Sequence, residues 1–127
     1  MIYKMKTNKS VTEVKSNMEN AAKTQGFGVL KEYEFKEILQ TKGFDIDREI
    51  TVFELCNPPA AAAALTTHPE ISSFLPCRVS IYEEDGATVV STIDMEKILE
   101  CFELENEFEE KMGKIYNQLK NAILMLI

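Results

Sequence analysis

The stretch Phe53-Glu54-Leu55-Cys56-Asn57-Pro58 and its shorter counterpart Leu75-Pro76-Cys77-Arg78 decide how this chain folds. Each joins an extended run to a turn or a helix, and each carries a cysteine at the junction. The alanine-rich segment between them predicts a helix over residues 59–66, because Asn favours the N-cap, Pro is tolerated at the first helical position and Ala has the best helix propensity. If the two flanking strands pair, Cys56 and Cys77 come to the same end of one sheet.

The rest of the chain alternates between strand and helix patterns. Ser10 and Glu13 have the spacing of a helix-capping box, and the Asp85-Gly86 pair predicts a tight hairpin. The predicted order is β-α-β-α-β-α-β-β-α-α, which indicates a two-layer α+β fold: one mixed, mostly antiparallel sheet of about five strands with helices packed on it. Alanine side chains would let the third helix approach this sheet closely. We predict a single domain over residues 1–127. The predicted strands are Ile2–Lys6, Phe27–Tyr33, Ile50–Cys56, Cys77–Glu83 and Ala87–Ile93.

Composition argues against several classes of partner. The chain has 21 acidic and 14 basic residues, a net charge of −7, and no basic cluster that would attract a phosphate backbone, so we expect no nucleic-acid partner. No window approaches the roughly 18 apolar residues of a membrane span, and the N-terminus lacks a signal-peptide pattern, so we expect no membrane association. Three cysteines fit a reducing cytoplasm better than a disulfide scaffold.

Several motifs of this chain resemble the domain-of-unknown-function family 302. They are Phe53–Pro58, the segment Phe74–Val79 with Tyr82-Glu83 after it, and the upstream segments Gly26–Leu30 and Phe35–Gly43. The resemblance runs from the first helix to the hairpin. It implies a small α+β domain from bacteria or archaea, a homodimer, and a sheet order similar to TATA-binding-protein-like folds. It implies no reaction, because none is established for the family.

The candidate site lies where the two cysteine-bearing junctions meet. Strand alternation puts Glu54 and Cys56 on one face of the third predicted strand, and Cys77 on the apolar face of the fourth. If both faces look toward the helices, the two thiols and the carboxylate converge at one end of the interior. A carboxylate on an apolar face is costly unless it is paired or protonated, so such groups often mark functional sites. The candidate pocket consists of Glu54, Cys56, Asn57, Pro58, Pro76 and Cys77.

Ordinary packing would explain the same residues. Buried cysteines usually behave as small hydrophobic groups, and Asn57-Pro58 is accounted for as a helix start. A bulge at Glu54 would turn its carboxylate to solvent. The sequence leaves both interpretations open. His68, the only histidine, has no close ligand spacing such as Cys-x-x-Cys around it, so we predict no metal site.

The C-terminal segment Ala122–Ile127 is apolar on all sides and follows an amphipathic stretch. It is either buried within the domain or packed on a second subunit, since an exposed apolar patch of that size is unusual. We favour a homodimer, with the helix of about residues 106–127 in the interface. The acidic stretch Glu100–Glu110 is most simply a solvated helix face and linker.

Three functions are compatible with these observations. The one we favour is a dimeric module that binds a small molecule or a partner near Cys56, Asn57 and Cys77. The alternative is a thiol-dependent enzyme or redox sensor in which Cys56 reacts, Cys77 resolves and Glu54 accepts the proton. The third is a structural domain whose cysteines fill space. The chain has no Gly-x-Ser-x-Gly motif and no nucleotide fingerprint, so the sequence assigns neither catalytic residues nor a cofactor and leaves open whether this is an enzyme.

Overall fold

The computed structural model describes residues 1–127 and contains five strands and five α-helices. None of the helices combines the length and apolar composition that crossing a membrane requires. The strands are β1 (Ile2–Thr7), β2 (Gly28–Glu34), β3 (Ile50–Cys56), β4 (Cys77–Glu84) and β5 (Ala87–Ile93). The helices are α1 (Val11–Thr24), α2 (Phe35–Thr41), α3 (Pro58–Thr67), α4 (Met95–Glu100) and α5 (Asn106–Leu126), and a 3₁₀ helix, Pro69–Phe74, follows α3.

The five strands form one open sheet in the order β1-β5-β4-β3-β2. Every neighbouring pair runs antiparallel, so the predicted α+β architecture is confirmed and the sheet has no parallel pair. The connections explain why. Helices α2 and α3 each connect two strands that are neighbours in the sheet. Only α1 carries the chain from one edge strand to the other.

The local signals at the ends of the elements act as the sequence indicates. The Ser10 hydroxyl accepts a hydrogen bond from the Glu13 backbone N–H at 3.1 Å and so caps α1. In the β4–β5 hairpin, Asp85 and Gly86 have φ angles of 53° and 79°, the pair of positive values that a two-residue type I′ turn requires.

Two helices differ from what the sequence pattern indicates. Asn106, with Glu109 three residues on, has the spacing of an N-cap residue, but it is the first residue of α5; Glu105 occupies the N-cap position without a side-chain hydrogen bond. The alanine-rich α3 also packs mainly against the 3₁₀ helix that follows it, not closely on the sheet. The reason is positional: α3 begins two residues after β3 ends, so the chain has already reached the end of the sheet.

Helices α1 and α5 pack against each other and cover one face of the sheet. Their buried side chains meet Phe53 and Leu55 of β3, Val79 and Ile81 of β4 and Val90 of β5. The apolar C-terminus is part of this core, because Ala122, Ile123 and Leu126 are buried. The buried side chains from the two helices are Val14, Met18, Ala21, Ala22, Tyr116, Leu119, Ile123 and Leu126.

Candidate functional site

A cavity of about 350 Å³ lies at the end of the sheet where β3 stops and β4 starts. Its walls are α3 and the 3₁₀ helix on one side and the middle of α5 on the other. It separates the main core from a smaller hydrophobic cluster: Leu55 and Leu119 belong to the first, Ala64 and Met112 to the second, and all four border the cavity. The cavity is therefore a gap between two independently packed groups of side chains.

The lining of the cavity is mostly apolar, with few polar groups. Of the 23 residues that border it, 17 are hydrophobic, and Arg78 is the one with a formal charge. Three of the five alanines of α3 border the cavity and leave room that larger side chains would fill. The polar members are Asn57, Ser72, Ser73, Arg78 and Thr92; the other members include Ala60, Ala61, Ala64, Met112, Ile115, Tyr116 and Leu119.

The structure brings together four of the six residues proposed from the sequence. Cys56, Asn57, Pro76 and Cys77 all border the cavity. Pro58 occupies the first position of α3 and is exposed, so it shapes the start of the helix without facing the cavity. Glu54 does not border the cavity either.

Glu54 lies on the opposite face of the sheet from Cys77, so the expected convergence of its carboxylate with both thiols does not occur. The β3–β4 register pairs Leu55 with Cys77 and Phe53 with Val79, and directly paired residues share a face. Thr51, Phe53 and Leu55 therefore face the helices. Both faces of β3 are rich in apolar residues, so alternation alone could not identify the inner one.

On its own face the Glu54 carboxylate is buried and paired. The Tyr33 hydroxyl donates a hydrogen bond to Oε1 at 2.6 Å, and Arg78 Nη2 lies 3.4 Å from Oε2. The hydrogen bond to Glu54 raises the pKa of Tyr33, because the phenol must remain protonated to donate it. Glu54 is thus a buried, paired carboxyl group whose partners include the Arg78 guanidinium.

Asn57 caps α3 and lies against Gly26, beside the cavity. Its side-chain oxygen accepts from the Ala60 backbone N–H at 3.2 Å and caps α3. Its Nδ2 lies 3.5 Å from the point where a Cβ on Gly26 would stand, and Gly26 has a φ of +83°. A residue with a side chain at position 26 would therefore be strained in its backbone by the positive φ, while its Cβ would meet the Asn57 amide at an ordinary van der Waals distance.

The three cysteines are free thiols, and two of them border the cavity. Burial raises the pKa of Cys77 to about 11, and the neighbouring Cys56 adds to the shift. At neutral pH the Cys77 side chain is therefore a protonated thiol, which is a poor nucleophile. Cys101 is exposed, does not border the cavity and follows directly after the last residue of α4.

Tyr116 is the principal cavity residue that the sequence reasoning missed. Its side chain is buried, and burial together with the nearby acidic groups Asp94 and Glu96 raises its pKa to about 12. The helical period could have identified it, because it stands four residues after Met112 and three before Leu119 on the buried stripe of α5.

His68 lies outside the cavity and has ordinary packing partners. Its ring stacks on Phe108 with the ring centroids 4.0 Å apart, and Nδ1 lies 2.8 Å from the Thr67 hydroxyl. Nowhere in the chain do three or more His, Cys, Asp or Glu side chains gather in a way that could hold a metal ion.

The fold and the cavity define a small α+β domain with an apolar site at one end of an antiparallel sheet. The sequence profile of the Domain of unknown function DUF302 matches residues 3–126, and the chain belongs to that family. This confirms the resemblance carried by Phe53–Pro58 and Phe74–Val79.

A solved structure is also similar to this chain. It is described as the crystal structure of uncharacterized conserved protein DUF302 from Bacillus stearothermophilus. The TM-score is 0.86 at 27% sequence identity, and the match covers 95% of this chain and 94% of that one. Comparison with curated proteins finds no match. These likenesses fix the family and the fold and bring no reaction with them.

Proposed function

We propose that this domain is a module that binds a small, largely apolar molecule in the cavity between α3, the end of the sheet and α5. The observation that carries the proposal is the cavity itself: about 350 Å³, bordered by Cys56, Asn57, Pro76 and Cys77. Its volume falls within the range of roughly 300–1,000 Å³ typical of small-molecule sites, which are also mostly apolar with a few placed polar groups.

The surroundings of the cavity support binding over thiol chemistry. A resolving cysteine must ionise to attack a disulfide or a sulfenic acid, and the raised pKa of Cys77 opposes this. Glu54, the proton acceptor that the thiol-enzyme alternative needs, faces the other side of the sheet and is occupied by Tyr33 and Arg78. In the proposed function the two thiols are part of the apolar lining.

Binding of a neutral, environment-sensitive dye such as N-phenyl-1-naphthylamine tests this proposal, since the chain contains no tryptophan to interfere. We expect saturable enhancement of dye fluorescence with the wild-type protein. Ala61→Phe should abolish the enhancement by filling the cavity, because Ala61 borders it. Ala63→Phe is the matched control: it lies on the exposed side of the same helix and should bind as the wild type does.

Equal binding by both variants, or no saturable binding by the wild-type protein, would contradict the proposal. Both variants carry the same change in helix propensity, so a difference between them reports the cavity and not the stability of α3.

The homodimer and the cytoplasmic location predicted from the sequence complete the proposal. Within the apolar C-terminus only Leu124 and Met125 are about half exposed, at 49% and 51%, so the surface left for a partner subunit on this segment is small. Light scattering of the purified protein decides between monomer and dimer. The three free thiols agree with a reducing compartment.

A further inference from the structure

We infer that a second copy of this chain binds to the open face of the sheet, the face turned away from α1 and α5, through its acidic segment Glu100–Glu110. This inference rests on the homodimer proposed above and names the two surfaces that form it. It comes from the distribution of charge, because the open face is basic and the segment is acidic.

The register of the strands identifies the side chains of the open face. Residues paired across neighbouring strands share a face, and Glu54 lies on this one because the buried Phe53 and Leu55 point the other way. No residue of the open face belongs to either hydrophobic cluster. The charged strand residues on this face are Lys4 and Lys6 of β1, Arg78 and Glu84 of β4, Glu54 of β3 and Lys31 of β2.

The open face is basic although the chain as a whole is acidic. Arg48, just before β3, joins it through Glu84, which contacts Arg48 Nη1 at 3.8 Å and Lys4 Nζ at 3.5 Å. The four basic strand residues and Arg48 thus accompany two glutamates, and one of these, Glu54, is buried. The face therefore presents positive charge in a chain whose net charge is −7.

Several of these cations are available to a partner. Lys6 and Lys31 are exposed, and neither forms an ion pair within the chain. The Arg78 side chain is 65% exposed although it contacts Glu54 at 3.4 Å. A guanidinium has five N–H donors, so one contact of this length leaves most of them free. An anionic surface laid on the open face would therefore meet unpaired positive charge.

The acidic segment Glu100–Glu110 has the complementary charge. It contains six glutamates and no basic residue. Its apolar side chains attach it to the domain, since Leu104 and Phe108 pack against the smaller hydrophobic cluster. Five of the six glutamates are exposed. The segment therefore presents its carboxylates outward on a backbone that is held in place.

Stabilisation of α5 explains only part of this acidic charge. Glu107 and Glu109 lie in the first turn of α5, where a carboxylate interacts favourably with the helix dipole. Glu103 precedes the helix, and Glu110 follows its first turn. Neither Glu103 nor Glu110 forms an ion pair within the chain, so their charge is available to a partner.

A second copy of the chain is the partner that these charges favour. Two open faces stacked on each other would bring basic side chains together, which is unfavourable. An acidic segment on an open face brings opposite charges together, and two-fold symmetry makes the same contact twice. Because each copy has a net charge of −7, the association depends on these local contacts and not on long-range attraction.

Sedimentation velocity of charge-reversed variants tests the inference. Lys6→Glu with Lys31→Glu reverses the open face, and Glu103→Lys with Glu110→Lys reverses the segment. Each double variant should raise the dissociation constant of the dimer at least about tenfold, because attraction is replaced by repulsion at both symmetric contacts. An equimolar mixture of the two variants should dimerise as the wild type does, because each altered face then meets an altered segment.

The matched control is Lys23→Glu with Lys42→Glu, which makes the same change in net charge. Both lysines are exposed, lie outside the strands and form no ion pair, so this variant should dimerise as the wild type does. Circular dichroism of each variant verifies that the fold is retained.

The possible results separate the interface from the dimer on which it rests. A wild-type protein that stays monomeric at every concentration overturns both. A dimer that tolerates the face and segment reversals, or that the control weakens equally, overturns the interface and leaves the homodimer. Monomeric variants that fail to pair when mixed show that the face and the segment do not meet, and this also overturns the interface. Dye binding in the cavity is independent of all these results.

Discussion

The two halves of the helical layer are packed in different ways. Around α1 and the C-terminal half of α5, side chains such as Met18, Leu55 and Ile123 are at most 1% exposed and form one continuous core. Under α3 the side chains that border the cavity are mainly alanines, and a cavity of about 350 Å³ separates the main core from the smaller cluster that contains Ala64 and Met112. Helix α5 belongs to both halves, with Leu126 in the packed one and Met112 beside the cavity.

The difference shows how one sheet can be both a stable scaffold and a site. Interiors are normally filled to near-crystalline density, and an unfilled volume forfeits dispersion contacts along its walls. Here the loss is confined to the end of the sheet, where the chain leaves β3 at Cys56 and returns at Cys77. The close packing around α1 and the C-terminal half of α5 stabilises the fold and offsets the contacts that are lost along the cavity walls.

Matched methionine truncations should show the largest difference in stability between the two halves. Met18→Ala in the packed half removes a side chain that is 1% exposed and should lower the free energy of unfolding by about 2–5 kcal/mol. Met112→Ala, beside the cavity, should cost distinctly less, because part of that side chain already faces empty space. Urea unfolding followed by circular dichroism measures both, and equal losses would mean that the two halves are equally packed.

The burial of Cys77 beside the cavity should make the stability of the protein depend on pH above about pH 9. Its pKa rises from the ordinary value of 9.0 to about 11, so between these pH values the unfolded chain has lost a proton that the folded chain keeps. The free energy of unfolding is therefore unaffected by this group below about pH 9 and falls as the pH rises toward 11, by roughly 3 kcal/mol at most.

The control for this pH dependence is a comparison of two cysteine variants in thermal melts. Cys77→Ala should show a shallower decline in stability between pH 9 and 11 than the wild type. Cys101→Ala, which removes an exposed thiol, should decline as the wild type does. Identical profiles for all three proteins would show that Cys77 titrates normally and is not enclosed.

Most of the fold could be predicted because its signals are local. Ser10 with Glu13, Asp85 with Gly86, and Asn57 with Pro58 each specify backbone geometry within a few residues, and each lies where the sequence placed it. The strand pattern of Ile50–Cys56 is equally local, and β3 has those bounds. The all-antiparallel pairing depends on which strands are neighbours, a tertiary property that alternation within one strand does not contain.

The site could be predicted only in part, for the same reason. The proximity of Cys56 and Cys77 to one cavity follows from two junctions at one end of the sheet. The placement of Glu54 depends on the register that pairs Leu55 with Cys77, and a shift of one residue would reverse it. The cavity depends on where α3 lies after it leaves the sheet, and a run of alanines is compatible with either close approach or a gap.

A crystal structure of the wild-type protein under xenon pressure shows whether the cavity between α3 and α5 exists. Xenon enters apolar cavities without needing hydrogen bonds and without selecting for charge. We predict a xenon peak between α3 and α5, in contact with Leu55, Ala61 and Met112, and none in the core around Met18. The absence of a xenon peak there, with α3 closed onto the sheet, would show that the cavity does not exist and that the binding site proposed for it is wrong.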